Sequence, residues 1–350
     1  MSASTQNGGS DAQIGAAQEM FANGGGLGFD YLMSNAESRA NFIVNESALE
    51  YEEWKDLSNA VIEQRQQQLN LVNDLRGAGL TEQESLATLV SRWQTATNIS
   101  EDANVGLGLG EPKSDEESPG YGLDGVPLPV FYKDWQIDRR FLMASRNGPG
   151  GSLDTTVARQ YTRALSNTIE YTILNGWARP VDGYEMYGFL NHPDRNTVTG
   201  SSWFDDSNDQ ENIRNDLLAA VEALEDDYYD DGGNWLYLSR AVWQRLRALL
   251  DDFGSGNPGD TNMRTRISEE FDAEFSQIRV TKNIPDGDAL VFQPSSDVVT
   301  LGVAEDVQPV QWESPSGASI WMRLLGAMNL KLRSTESGQM GVAHITGLKP

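Results

Sequence analysis

The densest concentration of reactive side chains is EDDYYDDGG, Glu225 to Gly233, with five carboxylates in nine residues. Such a run suits a hard cation, a pair of catalytic acids or a solvated surface. A calcium loop of the EF-hand kind needs oxygen ligands at alternating positions, a central glycine and a distal Glu. Here two tyrosines interrupt the acids, and Gly232 and Gly233 follow them. Asp205–Asp206 and Asp251–Asp252 are similar doublets at expected turns or helix ends, so the pattern reads as acid-coated surface. Spacing alone does not exclude a carboxylate pair for glycoside hydrolysis, but the abundance of acids makes any chosen pair uninformative. With only His192 and His344, a histidine-based triad has few options, and no G-x-S-x-G elbow is present. His192 lies in HPDRN and is expected to stabilise that turn; His344 in GVAHITG reads as a strand residue. GLGLG, Gly106 to Gly110, precedes no helix and lacks the Lys-Ser/Thr of a phosphate loop. No catalytic, metal or cofactor-binding residue is assigned, and no cofactor is expected.

The whole chain shares the acidic bias. Its 350 residues include 52 acidic and 26 basic ones, a formal charge of −26, with lysine only at 55, 113, 133, 282, 331 and 349. Ordinary aliphatic and aromatic content argues for a folded core and against acidic disorder. At ~1 M salt the Debye length is about 3 Å, so surface carboxylates barely repel one another. In dilute buffer the same charge opposes compactness. The composition therefore predicts a salt-adapted source. Strong DNA affinity is not expected, because phosphate neutralisation drives it. The best basic cluster is Arg240, Arg245 and Arg247, with Arg264 and Arg266 beyond, and internal ion pairs are its commoner explanation. Cysteine is absent, which removes disulfides, thiolate metal sites and cysteine nucleophiles. No basic start precedes an apolar run, so neither signal peptide nor membrane anchor is expected, and the protein should be made inside the cell.

These residues must be positioned by the following elements. Residues 1–46 are polar and Gly-rich. A helix is expected from Ser47, which stands three residues before Glu50, with Leu49, Trp54, Leu57, Val61, Val72 and Leu75 as its apolar face and Gly77 as its stop. ATLVSRWQTAT reads as a strand, and VPLPVFYKDWQI (Val126 to Ile137), with prolines at 127 and 129, as an edge strand. The polar Ser100 to Gly125 between them makes a projecting hairpin, too hydrophilic to pack within its own domain. In SLDTTVARQYTRALSNTIEYTILNGW, Asp154 or Thr155 caps a helix with Val157, Tyr161, Leu165, Ile169 and Ile173 at every fourth position, ended by Gly176. A second amphipathic helix, from about Asn212, carries Ile213, Leu217, Val221, Leu224 and Tyr228. The strand NWLYL, a helix capped by Ser239 and stopped near Gly254, and an antiparallel strand-rich C-terminal third complete an α+β chain.

Three collinear segments carry a resemblance. GVPLPVFYKDWQIDRRFLMASR followed by LDTTVARQYTRALSNTIEYTILNG, then MYGFLNHPDRNT, then DALVFQPSSDVVTLGVAEDVQPVQWES with SIWMRLLGAMNLKLRSTESGQMGVAHITGL, resemble the major capsid proteins of tailed viruses with the Hong Kong 97-type fold. The resemblance is closest to the branch shared with encapsulin shells and runs from about residue 47 to the end. It implies an N-terminal arm (1–46), an N-terminal helical segment (47–85) and an extended loop (86–137). It also implies a peripheral domain (138–204 and 306–350) with a spine helix near 152–177, and an axial domain (205–305). The implied function is a non-enzymatic shell protein of the virion, assembled in the host cytoplasm as pentamers and hexamers around double-stranded DNA. With the acidic bias, a haloarchaeal virus is the expected source. Partners would be copies of the chain, joined through arm and extended loop, with weakly bound DNA and decoration, portal or scaffold proteins, and no membrane. Trp93, Val130, Tyr132 and Trp135 are expected as subunit-interface anchors, since aromatics concentrate at interfaces; packing within the hairpin is the alternative for each. Some family members form a Lys–Asn cross-link. Lys113 and Lys133 are the loop lysines, but no acceptor motif matches, so no cross-link is expected. Rival readings are an encapsulin-like compartment, a salt-adapted carboxylate hydrolase and a calcium-binding surface protein.

Overall fold

A computed structural model describes residues 49, 51–96, 121–146, 155–204, 210–227, 229, 233–248, 262–314 and 319–349. The expectations for the arm 1–46, Ser47, the hairpin tip, Lys113, Asp154, Asp205–Asp206, Tyr228, Asp251–Asp252 and Gly254 lie outside the described residues.

The expected first helix is two helices, α1 (Tyr51–Gln68) and α2 (Asn70–Gly77). Leu69, at φ −91° and ψ 69°, leaves helical geometry and drops its side chain into the core. The expected apolar face holds: Leu49, Trp54, Leu57, Val61, Val72 and Leu75 are all buried. The run 126–137 also divides. Strand β2 (Val90–Ala96) pairs antiparallel with β3 (Tyr121–Pro127), and this pair is the hairpin. Proline lacks the N–H a ladder needs, and past Pro127 and Pro129 the chain leaves the hairpin. It continues as β4 (Val130–Asp138) at the edge of a different sheet. A short helix follows, α3 (Arg139–Arg146), which the sequence reading lacked; Asp138 Oδ1 accepts from Arg140 N at 2.8 Å at its start.

The long helix is α4 (Thr156–Asn175), with Leu165, Ile169 and Ile173 buried and Val157 exposed. Gly176 closes it at φ +78°, where a Cβ would stand 2.6 Å from the Met186 carbonyl oxygen. A small pair, β5 (Trp177–Val181) and β6 (Tyr184–Met186), leads to the HPDRN turn and β7 (Asn196–Thr199). Then come α5 (Gln210–Glu225), β8 (Asn234–Ser239), α6 (Arg240–Ala248), α7 (Met263–Glu270) and β9 (Phe275–Thr281). β10 (Ala289–Phe292), β11 (Val299–Glu313), β12 (Ser319–Leu332) and β13 (Val342–Thr346) end the described chain. VVTLGV and VQPVQWES are one 15-residue strand with register shifts, not two.

Two larger sheets organise these elements. The four-stranded one runs β1 (Thr81–Gln83), β11, β12, β4; the five-stranded one runs β7, β13, β10, β8, β9. The C-terminal strands pair antiparallel with one another as expected, β10 with β13 and β11 with β12, while β1–β11, β13–β7 and β8–β9, each involving an earlier strand, are parallel. The three inner strands of the five-stranded sheet, β13, β10 and β8, are buried on both faces. Leu236, Leu238, Ala289, Val291, Ala343 and Ile345 point into a core shared with α5, α6 and α7. Trp235, Tyr237, Leu290, Phe292 and Val342 point the other way, into the main core with α1, α2 and α4. Phe292 sits among Phe189, Trp235 and Tyr237, with ring centroids 4.7–5.8 Å away.

Along β4 and the first half of β12 the four-stranded sheet is covered on one side only, whereas past Gly326 both faces of β12 are buried. Phe131 and Trp135 of β4 and Ile320, Met322 and Leu324 of β12 are buried on the side of α1 and α4. Alternation sends Val130, Tyr132, Arg323 and Leu325 to the opposite side.

Candidate assembly surface

The uncovered face of the four-stranded sheet is aromatic. Register pairs Tyr132 with Leu325, Asp134 with Arg323, Arg323 with Val310, and Trp321 with Trp312, so these residues share one side. At its centre Arg323 donates twice to Asp134, Nε to Oδ1 at 2.7 Å and Nη2 to Oδ2 at 2.7 Å. That bond holds the Asp134 carboxyl below its ordinary range. The guanidinium stands 5.0 Å from the Tyr132 ring centroid and 5.2 Å from that of Trp312, so it is held between two aromatic rings. Trp312 in turn stacks on Trp321, at 6.3 Å and 7° between planes. A fixed fork and stacked rings pre-organise the surface, so little side-chain entropy is lost when it is covered. Val130, Tyr132 and Trp312 remain 46%, 61% and 39% exposed.

The four anticipated anchors therefore separate. Val130 and Tyr132 lie together on the open face. Trp135 is 6% exposed on the other side of the same strand, stacked at 5.2 Å on Tyr161 of α4. Trp93 is half-buried on the hairpin and packs against the main core. Sequence reasoning missed Trp312, Trp321 and Arg323. The alternation in VQPVQWE and SIWMRLL places each on a strand face, but which face is open depends on helices far away in the chain.

Trp93 also lines a cavity of about 220 Å³ between the hairpin root and the body, with Asp124, Glu185, His192, Asp194 and Leu330. Burial, with Asp194 and Glu336 adding, raises the Asp124 carboxyl above its ordinary value. His192 turns its Nδ1 to the Asp194 N–H at 3.2 Å, which fulfils its expected turn role, and burial lowers its pKa. His344 accepts from Arg195 Nε at 3.3 Å and faces Asp288 at 3.3 Å; burial lowers its pKa too. Both imidazoles thus serve the fold. Among the described residues no group of three or more His, Asp and Glu side chains could hold a metal ion.

The acidic stretch is partly structural. Glu225 and Asp226 are exposed at the end of α5, but Asp227 Oδ2 accepts from Asn196 Nδ2 at 2.7 Å and Met340 N at 3.0 Å. Asp227 therefore ties α5 to β7 and the approach to β13, in contrast to a purely solvated acid. Gly233, at φ +67°, makes the expected turn into β8.

Comparison with solved structures defines the class: the chain has the Hong Kong 97-type fold of viral capsids and encapsulin shells. A virus-like particle protein from Pyrococcus furiosus matches with a TM-score of 0.57 at 16% identity, over 84% of this chain and 98% of that one. The capsid of Myoviridae phage XM1 matches with a TM-score of 0.57 at 11% identity, over 78% and 91%. A Mycobacterium phage Adephagia chain matches with a TM-score of 0.55 at 14% identity, over 79% and 90%. By sequence, residues 44–345 match the model of a family of unknown function, DUF6260, and the chain belongs to that family. No curated protein sequence matches it. Among the described residues no helix is long and apolar enough to cross a membrane.

Proposed function

We propose that this protein is the major capsid protein of a tailed virus, forming an icosahedral shell around double-stranded DNA. The observation that carries this is structural correspondence over nearly the whole length of a particle-forming chain. Assembly works by mutual burial. The open face of the four-stranded sheet, with Val130, Tyr132, Trp312, Trp321 and Arg323, docks against a second copy, while Trp135 and Trp93 hold β4 and the hairpin root from within. Tyr, Trp and Arg are the residues that dominate interface energetics. In place of the expected bounds 205–305, the two cores support an axial unit built on the five-stranded sheet and its three helices, which takes in β7 and β13 from the expected peripheral ranges, and a peripheral unit built on α4 and the long sheet. Pentamers and hexamers, a virion location after assembly in the host cytoplasm, DNA held weakly, and portal, scaffold or decoration partners all belong to this reading. So does a haloarchaeal host, since copies carrying −26 each repel one another until salt screens them.

The test is the size of the purified protein in ~2–3 M salt, where screening is nearly complete, by light scattering and negative-stain microscopy. Closed shells or rings of five and six are expected; a monomer at every salt concentration would sink the reading. An encapsulin-like compartment is the second reading, favoured by the Pyrococcus furiosus match. Nucleic acid inside purified particles decides for the virus, and a protein cargo for the compartment.

A further inference from the structure

The helical layer over the five-stranded sheet is electrically polar. α5 lies over the β7–β13 end, and α6 over the β8–β9 end. At ~4.8 Å per strand the outer strands of the sheet are about 19 Å apart, so the two helices mark opposite ends of one unit. On α5, Glu211, Asn215, Leu218, Glu222 and Glu225 are exposed and fall on one stripe. On α6, the nine residues RAVWQRLRA hold three arginines and no carboxylate, in a chain where acids outnumber bases two to one. Arg240, Gln244 and Arg247 are exposed on one face of it. Exposed Arg264 of α7 adds to that face, its guanidinium 4.5 Å from the ring centroid of half-buried Trp243. The far end of α7 is acidic, with exposed Glu269 and with Glu270 pairing with Arg214 of α5 and, at 3.8 Å, with Arg266, so the basic face is confined to α6 and Arg264.

Building on the shell reading, we propose that the α6–α7 patch (Arg240, Trp243, Arg247, Arg264) docks on the acidic α5 stripe (Glu211, Leu218, Glu222, Glu225) of a second copy, head to tail. Charge complementarity selects the occupant. A two-fold contact through either surface would set like charges against each other, whereas a heterologous contact pairs them, and on the shell reading its rotation closes into a ring. Leu218, 38% exposed at the middle of the acidic stripe, supplies an apolar centre for Trp243 to cover. Because the pairs are charged, this contact weakens as salt rises.

The test uses two charge reversals in the full-length protein, Arg247→Glu and Glu222→Arg, read by sedimentation velocity and microscopy at ~0.2–0.5 M salt, where screening is incomplete. Each variant alone is expected to lose ring association by about tenfold per contact, since an attractive pair becomes a repulsive one. Thermal midpoints should stay at the wild-type value, because both side chains are exposed. Mixed in equal amounts, the two variants restore association. Every contact in an alternating ring is then attractive, so rings with an even number of copies return and five-membered rings do not. Variants that assemble like the wild type, or a mixture no better than its components, overturn the proposal while wild-type shells leave the capsid reading standing. Wild-type protein that never associates at any salt overturns both.

Discussion

Tyr132 and Trp135 stand three residues apart on β4 and face opposite ways, so truncating each separates assembly from folding. Trp135 is buried against α4 on Tyr161. Its replacement by Ala removes a large core side chain and leaves a cavity, at a cost of about 3–5 kcal/mol. That corresponds to a fall of roughly 10 °C in Tm for a chain of this size class. Tyr132 is 61% exposed, and within the chain it meets the Arg323 guanidinium and stands opposite Leu325 on β12. Losing that contact costs about 0.5–1 kcal/mol, a shift of only a few degrees. At an interface, however, a tyrosine of this kind is worth about 2 kcal/mol, near thirtyfold per contact, and a shell repeats the contact in every copy. Tyr132→Ala should therefore leave the dissociated protein nearly as stable as wild type in a urea titration, yet raise sharply the protein concentration at which particles form in light scattering. Trp135→Ala should lose stability first. Equal destabilisation by the two variants, or undiminished assembly by Tyr132→Ala, would refute the division of the strand into a folding side and an assembly side.

Other perturbations follow the same logic. Arg323→Lys removes the bidentate fork on Asp134 and the planar stack between Tyr132 and Trp312; assembly should weaken while Tm moves by a few degrees at most, as calorimetry beside light scattering would show. Glu170 of α4 is 1% exposed and accepts from Leu71 N, Thr281 Oγ1 and Asn283 Nδ2, and burial raises its pKa. A raised carboxyl favours the folded state while protonated, so its contribution is lost as pH climbs from about 4.5 through the folded value. Glu170→Gln should match wild type at low pH and exceed it at neutral pH in parallel denaturant titrations; an unchanged difference across that range would contradict the assignment. Gly176→Ala combines positive φ with a Cβ 2.6 Å from the Met186 carbonyl oxygen, and should cost more than ~1 kcal/mol in the same titration.

What the sequence disclosed was periodicity, and what it withheld was pairing. Leu165, Ile169 and Ile173 announce α4 because one stripe of a helix repeats near every fourth residue, and NWLYL announces β8 because a strand buried on both faces is continuously apolar. The break at Leu69 carries no such signal. A leucine there continues the polar helix equally well until the core beneath claims its side chain. In VFYKDW, bulky residues occupy both alternating sets, so period two fixes that Tyr132 and Trp135 diverge without fixing which one is covered. That is decided by α4 and by β12, whose Arg323 meets Asp134 from 189 residues away. The parallel pairings and the short strand β1 depend on the same long-range contacts.

On the proposed assembly the two surfaces respond to salt with opposite signs, and this bears on how a chain of −26 would assemble at all. The aromatic face of the long sheet gains from salt, because general repulsion between copies is screened and apolar burial is undiminished. The proposed contact of the α6–α7 patch with the α5 stripe loses from salt, because its attraction is screened along with the repulsion. A ring held by the second contact therefore forms at lower ionic strength than a shell held by the first. Ordering by charge also gives a role to the arginines that α6 gathers without a carboxylate. Arginines spread evenly would lower the net charge a little everywhere and specify nothing. Gathered at one end of the unit, opposite an acidic end, the same residues give direction to a contact between otherwise mutually repelling copies.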